Sequence, residues 1–205
     1  MNKNRLIRTL LIVIIGVSIG AFTTLYQISQ EGKKSGSGSL VATKNFGGAF
    51  ELINHLGEKV TDKDFEDQHR LIYFGFTYCP AICPTELQKI SMVLNDLPEE
   101  ISSQINPIFI SVDPERDTVE TIKNYISLFH PRMIGLTGTP EQVKQAADAY
   151  KVYYAKVQDE TMQEYTVDHS SFIYFMTPGN TLQALFKIDD STETIKTAIL
   201  NYFGK

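Results

Sequence analysis

The pattern of apolar and polar positions changes period several times along this chain, and each change marks an element. LIYFGF, residues 71–76, is a nearly continuous apolar run of strand length. Such a run predicts a central strand covered on both faces. Residues 84–97 follow with Leu87, Ile90, Met92, Val93, Leu94 and Leu97 at helical spacing, which predicts a helix with a broad apolar face. INPIFISVD reads as the next strand, and Thr118 to Phe129 as a helix with Val119, Ile122, Tyr125, Ile126 and Phe129 on one side.

MIGLTGT is a short strand, and Pro140 to Tyr150 a helix opened by Thr139 as cap with Pro140 at its first position. KVYYAKV and EYTVD make two more strands separated by the polar QDETMQ. SFIYFM and TLQALFK form a hairpin around Pro178, Gly179 and Asn180, before a closing helix from Ser191. Upstream, GAFELIN and HLGEKVT are two short strands turning at Leu56 and Gly57, and residues 62–69 give a polar helical turn. Strands alternating with helices, then a hairpin and a last helix, imply an α/β sandwich around a mixed sheet.

The first 44 residues break this pattern. Lys3, Arg5 and Arg8 precede an uncharged stretch from Thr9 to Gln30. As a helix it would reach roughly 33 Å, enough to span a bilayer. Basic residues before the segment place residues 1–8 in the cytoplasm and the rest outside, with the 9–30 anchor in an inner, cytoplasmic-type membrane. A cleaved signal peptide is the competing reading, since Ser18 and Gly20 before Ala21 fit a small-residue cleavage site. The uncharged run continuing past Ala21 favours the retained anchor. Residues 31–44, rich in Gly, Ser and Lys, read as a flexible linker to a single domain at 45–205.

Hydrophobic residues make up 42% of the 205-residue chain and charged residues 21%, the composition of a globular protein. Beyond residue 30 there are 16 basic against 24 acidic residues, a net charge of −8. That surface excludes nucleic acid as a partner.

Cys79 and Cys83 are the only cysteines, four positions apart, each followed by proline, directly after the apolar strand. Pro80 and Pro84 disfavour helical geometry at the residues before them, so Cys79 is expected in the turn leaving the strand, Cys83 at the cap of the next helix and Pro84 at its first position. There the helix dipole would stabilise a thiolate at Cys83, and both thiols should ionise more easily than a free cysteine. Two such thiolates can form a disulfide or grip a soft metal ion. A purely stabilising disulfide is the bland alternative, but so short a loop removes little unfolded-state entropy.

A metal needs a third ligand, and His55, His69, His130 and His169 are the candidates. The first three sit in polar or turn contexts typical of solvated imidazoles. His169 lies where the polar VDHSS segment meets an apolar strand, and it would approach the cysteines if that strand lies beside the one ending at Phe76. Spacing leaves that adjacency open. Asp168 could orient the imidazole, or cap a turn. Two thiolates and one imidazole would suit Cu(I), whereas zinc would want a fourth ligand.

FGFTYCPAICPTEL, SVDPERDT and VDHSSFIYFMTPGN, in that order and with LTGT between the second and third, resemble the SCO/SenC family of membrane-anchored copper proteins over roughly residues 45–203. The resemblance implies a thioredoxin-like α/β fold with an added β-hairpin, here preceded by one N-terminal transmembrane helix. It implies a copper site, Cu(I) with Cu(II) left open, at Cys79, Cys83 and His169. It further implies that Asp113 serves copper delivery and partner docking; on the residues alone Asp113 is equally a strand-to-helix turn residue. Implied partners are cytochrome c oxidase subunit II, whose binuclear copper centre such proteins mature, or another copper-receiving protein, with an external thiol reductant or copper donor. Ala81 and Tyr78 depart from the family pattern, where an acidic residue and a histidine are frequent.

The leading function is therefore a copper chaperone and assembly factor, not an enzyme. The rival is a thiol-disulfide oxidoreductase using Cys79 and Cys83 as a redox-active disulfide. No proline stands in the loop before SFIYFM, where reductases of this fold usually carry one, which favours metal binding. A peroxidase is weaker, since no arginine lies within the TYCPAICPTEL segment.

Overall fold

The structure, a computed structural model, describes residue 20, residues 39–158 and residues 164–204. The expected cytoplasmic segment 1–8, the anchor at 9–30 apart from Gly20, and most of the polar 158–163 stretch lie outside the described residues. Among those described, no helix is long and apolar enough to cross a membrane.

The strands are β1 (Ser39–Thr43), β2 (Glu51–Asn54), β3 (Lys59–Thr61), β4 (His69–Gly75), β5 (Ile105–Ser111), β6 (Ile134–Thr137), β7 (Tyr154–Val157), β8 (Thr166–His169), β9 (Phe172–Thr177) and β10 (Thr181–Lys187). The helices are α1 (Ile82–Asp96), α2 (Glu99–Ser102), α3 (Val119–Ile126), α4 (Pro140–Ala149) and α5 (Thr192–Tyr202), with a 3-10 turn at Asp62–Phe65. Among the described residues, eight strands form one mixed sheet in the order β1-β10-β9-β4-β5-β6-β2-β3, and β7 and β8 pair only with each other.

β4 lies at the centre, parallel to β5 and antiparallel to β9, and six of its seven residues are buried. That double coverage is why its sequence shows no alternation. On one face Tyr73 and its register partner Phe109 meet α1 and α3: Tyr73 reaches Cys83, and Phe109 packs at 5.5 Å on Tyr125. On the other face Phe74 packs on Tyr150, at the end of α4, and on Tyr174. Each such buried aromatic contributes about 2–3 kcal/mol by leaving water.

Three of the helices start where side-chain chemistry predicts. Thr118, Thr139 and Ser191 each accept a hydrogen bond from a backbone N–H in the first turn, the N-cap arrangement. Pro140 stands at the start of α4, as expected.

The expected linker over 31–44 is corrected at its C-terminal end. Residues 39–43 form β1, antiparallel to β10 with Leu40 opposite Ala184. Gly and Ser signal flexibility, but the exposed edge of β10 offers unpaired backbone groups that satisfy SLVAT as a strand.

Candidate metal centre

Cys79 and Cys83 occupy the crossing from β4 into α1, at the end of the central strand. The root of this loop is pinned by Asp117: its carboxylate accepts from Thr77 N at 3.1 Å, from Thr77 Oγ1 at 2.6 Å and from Ser111 Oγ at 2.6 Å. Burial pushes the Asp117 carboxyl up, and the hydroxyl and amide donors pull against it. Cys79 N then donates to Phe76 O at 3.3 Å, closing the turn.

Two details of the cysteine loop differ from expectation. Helix α1 begins at Ile82 with Ala81 as its cap, so Cys83 lies inside the first turn and Pro84 third in the helix. Pro84 itself costs no helical hydrogen bond there, because an N–H in the first turn has no acceptor within the helix. Ala81 has no side chain to cap with, and Cys79 Sγ takes that place, accepting from Cys83 N at 3.3 Å.

The charge is therefore expected on the other cysteine. Cys79, half-buried, is held well below the ordinary thiol range, first by the hydrogen bond from the Cys83 side chain, then by the backbone N–H groups of Cys83 and Ala81. Cys83 is fully buried and its thiol is pushed up, first by donating to Cys79 and then by burial. The helix start stabilises a thiolate, as reasoned from the sequence, but its N–H points at Cys79.

β9 does lie beside β4, with Tyr73 opposite Ile173 and Ile72 opposite Tyr174. His169 sits just before it, as the last residue of β8 rather than in a loop, paired with Tyr154. Its Nε2 lies 3.5 Å from Cys83 Sγ. Its Nδ1 lies 3.0 Å from Ser170 O; a carbonyl only accepts, so Nδ1 carries the proton and the Nε2 lone pair faces the sulfur. The ring is wedged edge-to-face against Phe76 at 5.8 Å and Tyr73 at 6.1 Å. The orienting acceptor is thus Ser170, not Asp168, which is exposed and paired through its backbone with Ala155.

Cys79, His169 and Phe76 line an open cavity of about 280 Å³ together with Pro80, Ala81 and Ile82, while Cys83 is fully buried and does not line it. Among the described residues no three His, Cys, Asp or Glu side chains converge into a finished metal cage; the donors meet pairwise. The donor chemistry still fits a soft ion. Bonds of about 2.3 Å to sulfur and 2.0 Å to nitrogen at a tetrahedral-to-trigonal angle span about 3.5–3.7 Å, the separation seen between Cys83 Sγ and His169 Nε2. The other three histidines engage elsewhere: His55 accepts from Gly135 N, His130 from Arg132 N, and His69 packs at a tilt on Phe203 at 4.9 Å.

Asp113 has no exposed surface. Its carboxylate holds Arg116 Nε at 2.5 Å and accepts from Tyr165 Oη at 2.7 Å. As a turn residue it behaves as the alternative reading expects, its carbonyl accepting from Arg116 N and Asp117 N. Asp117, Arg116, Tyr73 and Gly75 were missed in the sequence as site residues. The first two stand in the DPERDT stretch, yet only the fold shows what they hold.

A dithiol at a strand-to-helix crossing, faced by an imidazole from a neighbouring ribbon on a mixed α/β sandwich, defines a thiol-bearing thioredoxin-like domain. The SCO1/SenC family model matches residues 39–204, and the chain belongs to that family. It is 48% identical over 134 residues to the human mitochondrial SCO1 homolog, covering 64% of this chain but 44% of that protein's length. It is 38% identical over 202 residues to a SCO2-like protein of Rickettsia prowazekii, covering 97% of this chain and 98% of the relative. The crystal structure of Arabidopsis thaliana ScoI with copper bound superposes with a TM-score of 0.72 at 39% identity, over 78% of this chain and 98% of that one.

Proposed function

We propose that this protein is a membrane-anchored copper chaperone that binds Cu(I) through Cys79, Cys83 and His169 and supports maturation of the binuclear copper centre of cytochrome c oxidase subunit II. The observation that carries the reading is the facing pair of Cys83 Sγ and His169 Nε2 at 3.5 Å, with Cys79 Sγ beside them at the mouth of an open cavity. Copper-bound relatives of the same fold support it.

Cys79, favoured as a thiolate and half-exposed, offers the first donor to an incoming ion. Cys83 loses its proton as the ion's charge replaces it. The His169 lone pair is already aimed, with Ser170 O fixing the tautomer. An open site lets a partner's thiols replace these donors one at a time, so transfer is ligand exchange with no change of oxidation state. Residues 9–30 serve as the anchor, residues 31–38 as the tether, and the domain, beginning at β1, lies on the extracytoplasmic side of an inner membrane.

The cysteine asymmetry favours a second reading, reduction of a partner's disulfide. The Cys79 thiolate would attack one sulfur of that disulfide, forming a mixed disulfide and releasing the other as a thiolate. Cys83 would then attack Cys79, releasing the reduced partner and leaving a Cys79–Cys83 disulfide for an external thiol reductant to reopen.

Anaerobic Cu(I) titration of the reduced full chain against a Cu(I) chelator, beside His169→Ala and Cys83→Ala, tests the first reading. One tight equivalent, lost in both variants, supports it. Weak binding, or binding indifferent to His169, overturns it and puts the reductase first.

A further inference from the structure

The ribbon of β7 and β8 carries His169 but, among the described residues, shares no strand pairing with the main sheet. Something other than β-sheet hydrogen bonding must hold it against the cysteine loop, and the contacts converge on Arg116. Its guanidinium lies 3.7 Å from the Tyr165 ring centroid on the ribbon and 4.7 Å from that of Tyr78 on the cysteine loop, with Phe76 at 5.9 Å. Nη1 donates to Tyr165 O at 2.9 Å, and Nε is bound to the buried Asp113 carboxylate, which also accepts from Tyr165 Oη. Nη2 is buried with no hydrogen-bond acceptor among the described residues. The guanidinium charge is answered by the buried Asp113 carboxylate, by the exposed Glu164 carboxylate 3.7 Å from Nη1, and by the faces of the neighbouring rings.

We propose that Arg116 is a positioning residue for the site: by tying Tyr78 of the cysteine loop to Tyr165 of the His169 ribbon, it holds the imidazole against Cys83. The inference rests on reading Cys79, Cys83 and His169 as one binding site. It goes further by assigning the site's geometry to a residue that touches neither the sulfurs nor the imidazole.

The bracket has a rigid base. Asp113 N donates to Ser111 Oγ at 3.0 Å and its carbonyl takes the Arg116 and Asp117 amides, while Asp117 grips Thr77 at the root of the cysteine loop. The turn at residues 113–117 therefore fixes the loop from one side and the ribbon from the other. Tyr165 is two residues before Val167, the buried anchor of β8, and four before His169. A displaced Tyr165 carries the strand and its terminal histidine with it.

Lysine keeps the charge but cannot reproduce a planar fork that stacks between two rings while binding a carboxylate and a carbonyl. Arg116→Lys thus separates geometry from charge. Lost support for a ligand typically costs 10–100-fold in metal affinity.

The test is Cu(I) affinity of the full-length chain for the parent, Arg116→Lys, His169→Ala and the double variant, with proton NOEs between the His169 and Phe76 rings of the reduced, metal-free protein. Arg116→Lys is expected to weaken Cu(I) binding at least about tenfold in the parent and less than about twofold in the His169→Ala background, and to lose the NOE while those across β9 and β10 persist. Parent-like affinity in Arg116→Lys, an equal loss in both backgrounds, or a retained NOE overturns the proposal. If the parent binds no Cu(I), the copper reading fails and the NOE alone decides the positioning claim. If Arg116→Lys does not fold, Tyr78→Ala, on a side chain 58% exposed, takes its place. A weakened NOE there supports the bracket, and an unchanged one overturns it.

Discussion

Adding one methyl group under the site tests whether its geometry is set by packing. Gly75 ends β4, in register with Ser111 of β5. A Cβ built there would stand 2.8 Å from Cys83 Sγ, 2.9 Å from Tyr73 Cε1 and 3.2 Å from Phe109 Cε2. Favourable contacts between such atoms lie near 3.5–4.0 Å, so all three neighbours are overlapped by about 0.3–1 Å. Tyr73 and Phe109 are fully buried and sit on adjacent strands, so their rings have nowhere to retreat. The sulfur must move outward, away from the strand, and its 3.5 Å separation from His169 Nε2 cannot survive unchanged. Overpacking of this kind costs about 1–3 kcal/mol, and a displaced ligand about tenfold or more in metal affinity.

Gly57→Ala is the matched control. Its φ of +83° strains any side chain, but no atom stands within 4 Å of the added Cβ, so it costs about 1–2 kcal/mol of backbone strain in a distant turn. Urea unfolding and Cu(I) competition titration of both variants are the measurements. Gly75→Ala is expected to lose both stability and affinity, Gly57→Ala stability alone. Parent-like affinity in Gly75→Ala, or an equal affinity loss in Gly57→Ala, would refute the packing argument.

Iodoacetamide should alkylate Cys79 before Cys83, with a rate nearly flat from pH 6 to 8, because the lowered Cys79 pKa leaves its thiolate formed across that window whereas a free thiol titrates near 8.5; peptide mass mapping reading Cys83 first would contradict this. Asp117→Ala leaves Thr77 N, Thr77 Oγ1 and Ser111 Oγ without their acceptor and is expected to destabilise by about 3 kcal/mol or more, read from the urea midpoint; a loss under about 1 kcal/mol would mean the bonds are replaceable. Glu86 is buried and pairs with Lys89 Nζ at 2.8 Å, and burial, with Asp189 and Asp190 adding to it, raises its carboxyl pKa in the folded state. The folded parent binds that proton more tightly than the unfolded chain, so its stability falls as pH rises from the unfolded carboxylate value, near 4.3, through the raised folded value. Glu86→Gln lacks this loss, and its stability relative to the parent should grow between pH 4 and pH 8; a difference independent of pH would show the charge is already compensated.

Much of the fold was legible because hydrophobic period and caps are local. The buried run at 71–76, the caps at Thr118, Thr139 and Ser191 and the turn at Pro178–Asn180 appear where their chemistry predicts. β1 was not, because SLVAT becomes a strand only when the edge of β10 is there to pair with it. The helix start was displaced because Cys79, four residues before Cys83, serves as an acceptor that no cap rule includes.

The same division runs through the site. Neighbouring residues alone show that two cysteines stand between a buried strand and a helix, that their prolines bend the loop, and that a histidine precedes a strand able to lie alongside. Those follow from neighbours in the chain. Which sulfur carries the charge, which acceptor orients the imidazole, and what joins the two halves were decided only by the tertiary structure. Each depends on a hydrogen bond or ring contact between distant segments: Arg116 meets Tyr165 across 49 residues, and Cys83 meets His169 across 86. Burial sets those contacts. The sheet brings β9 beside β4 and excludes water from Cys83 and Asp113, and only then does a single N–H or carboxylate determine where charge rests.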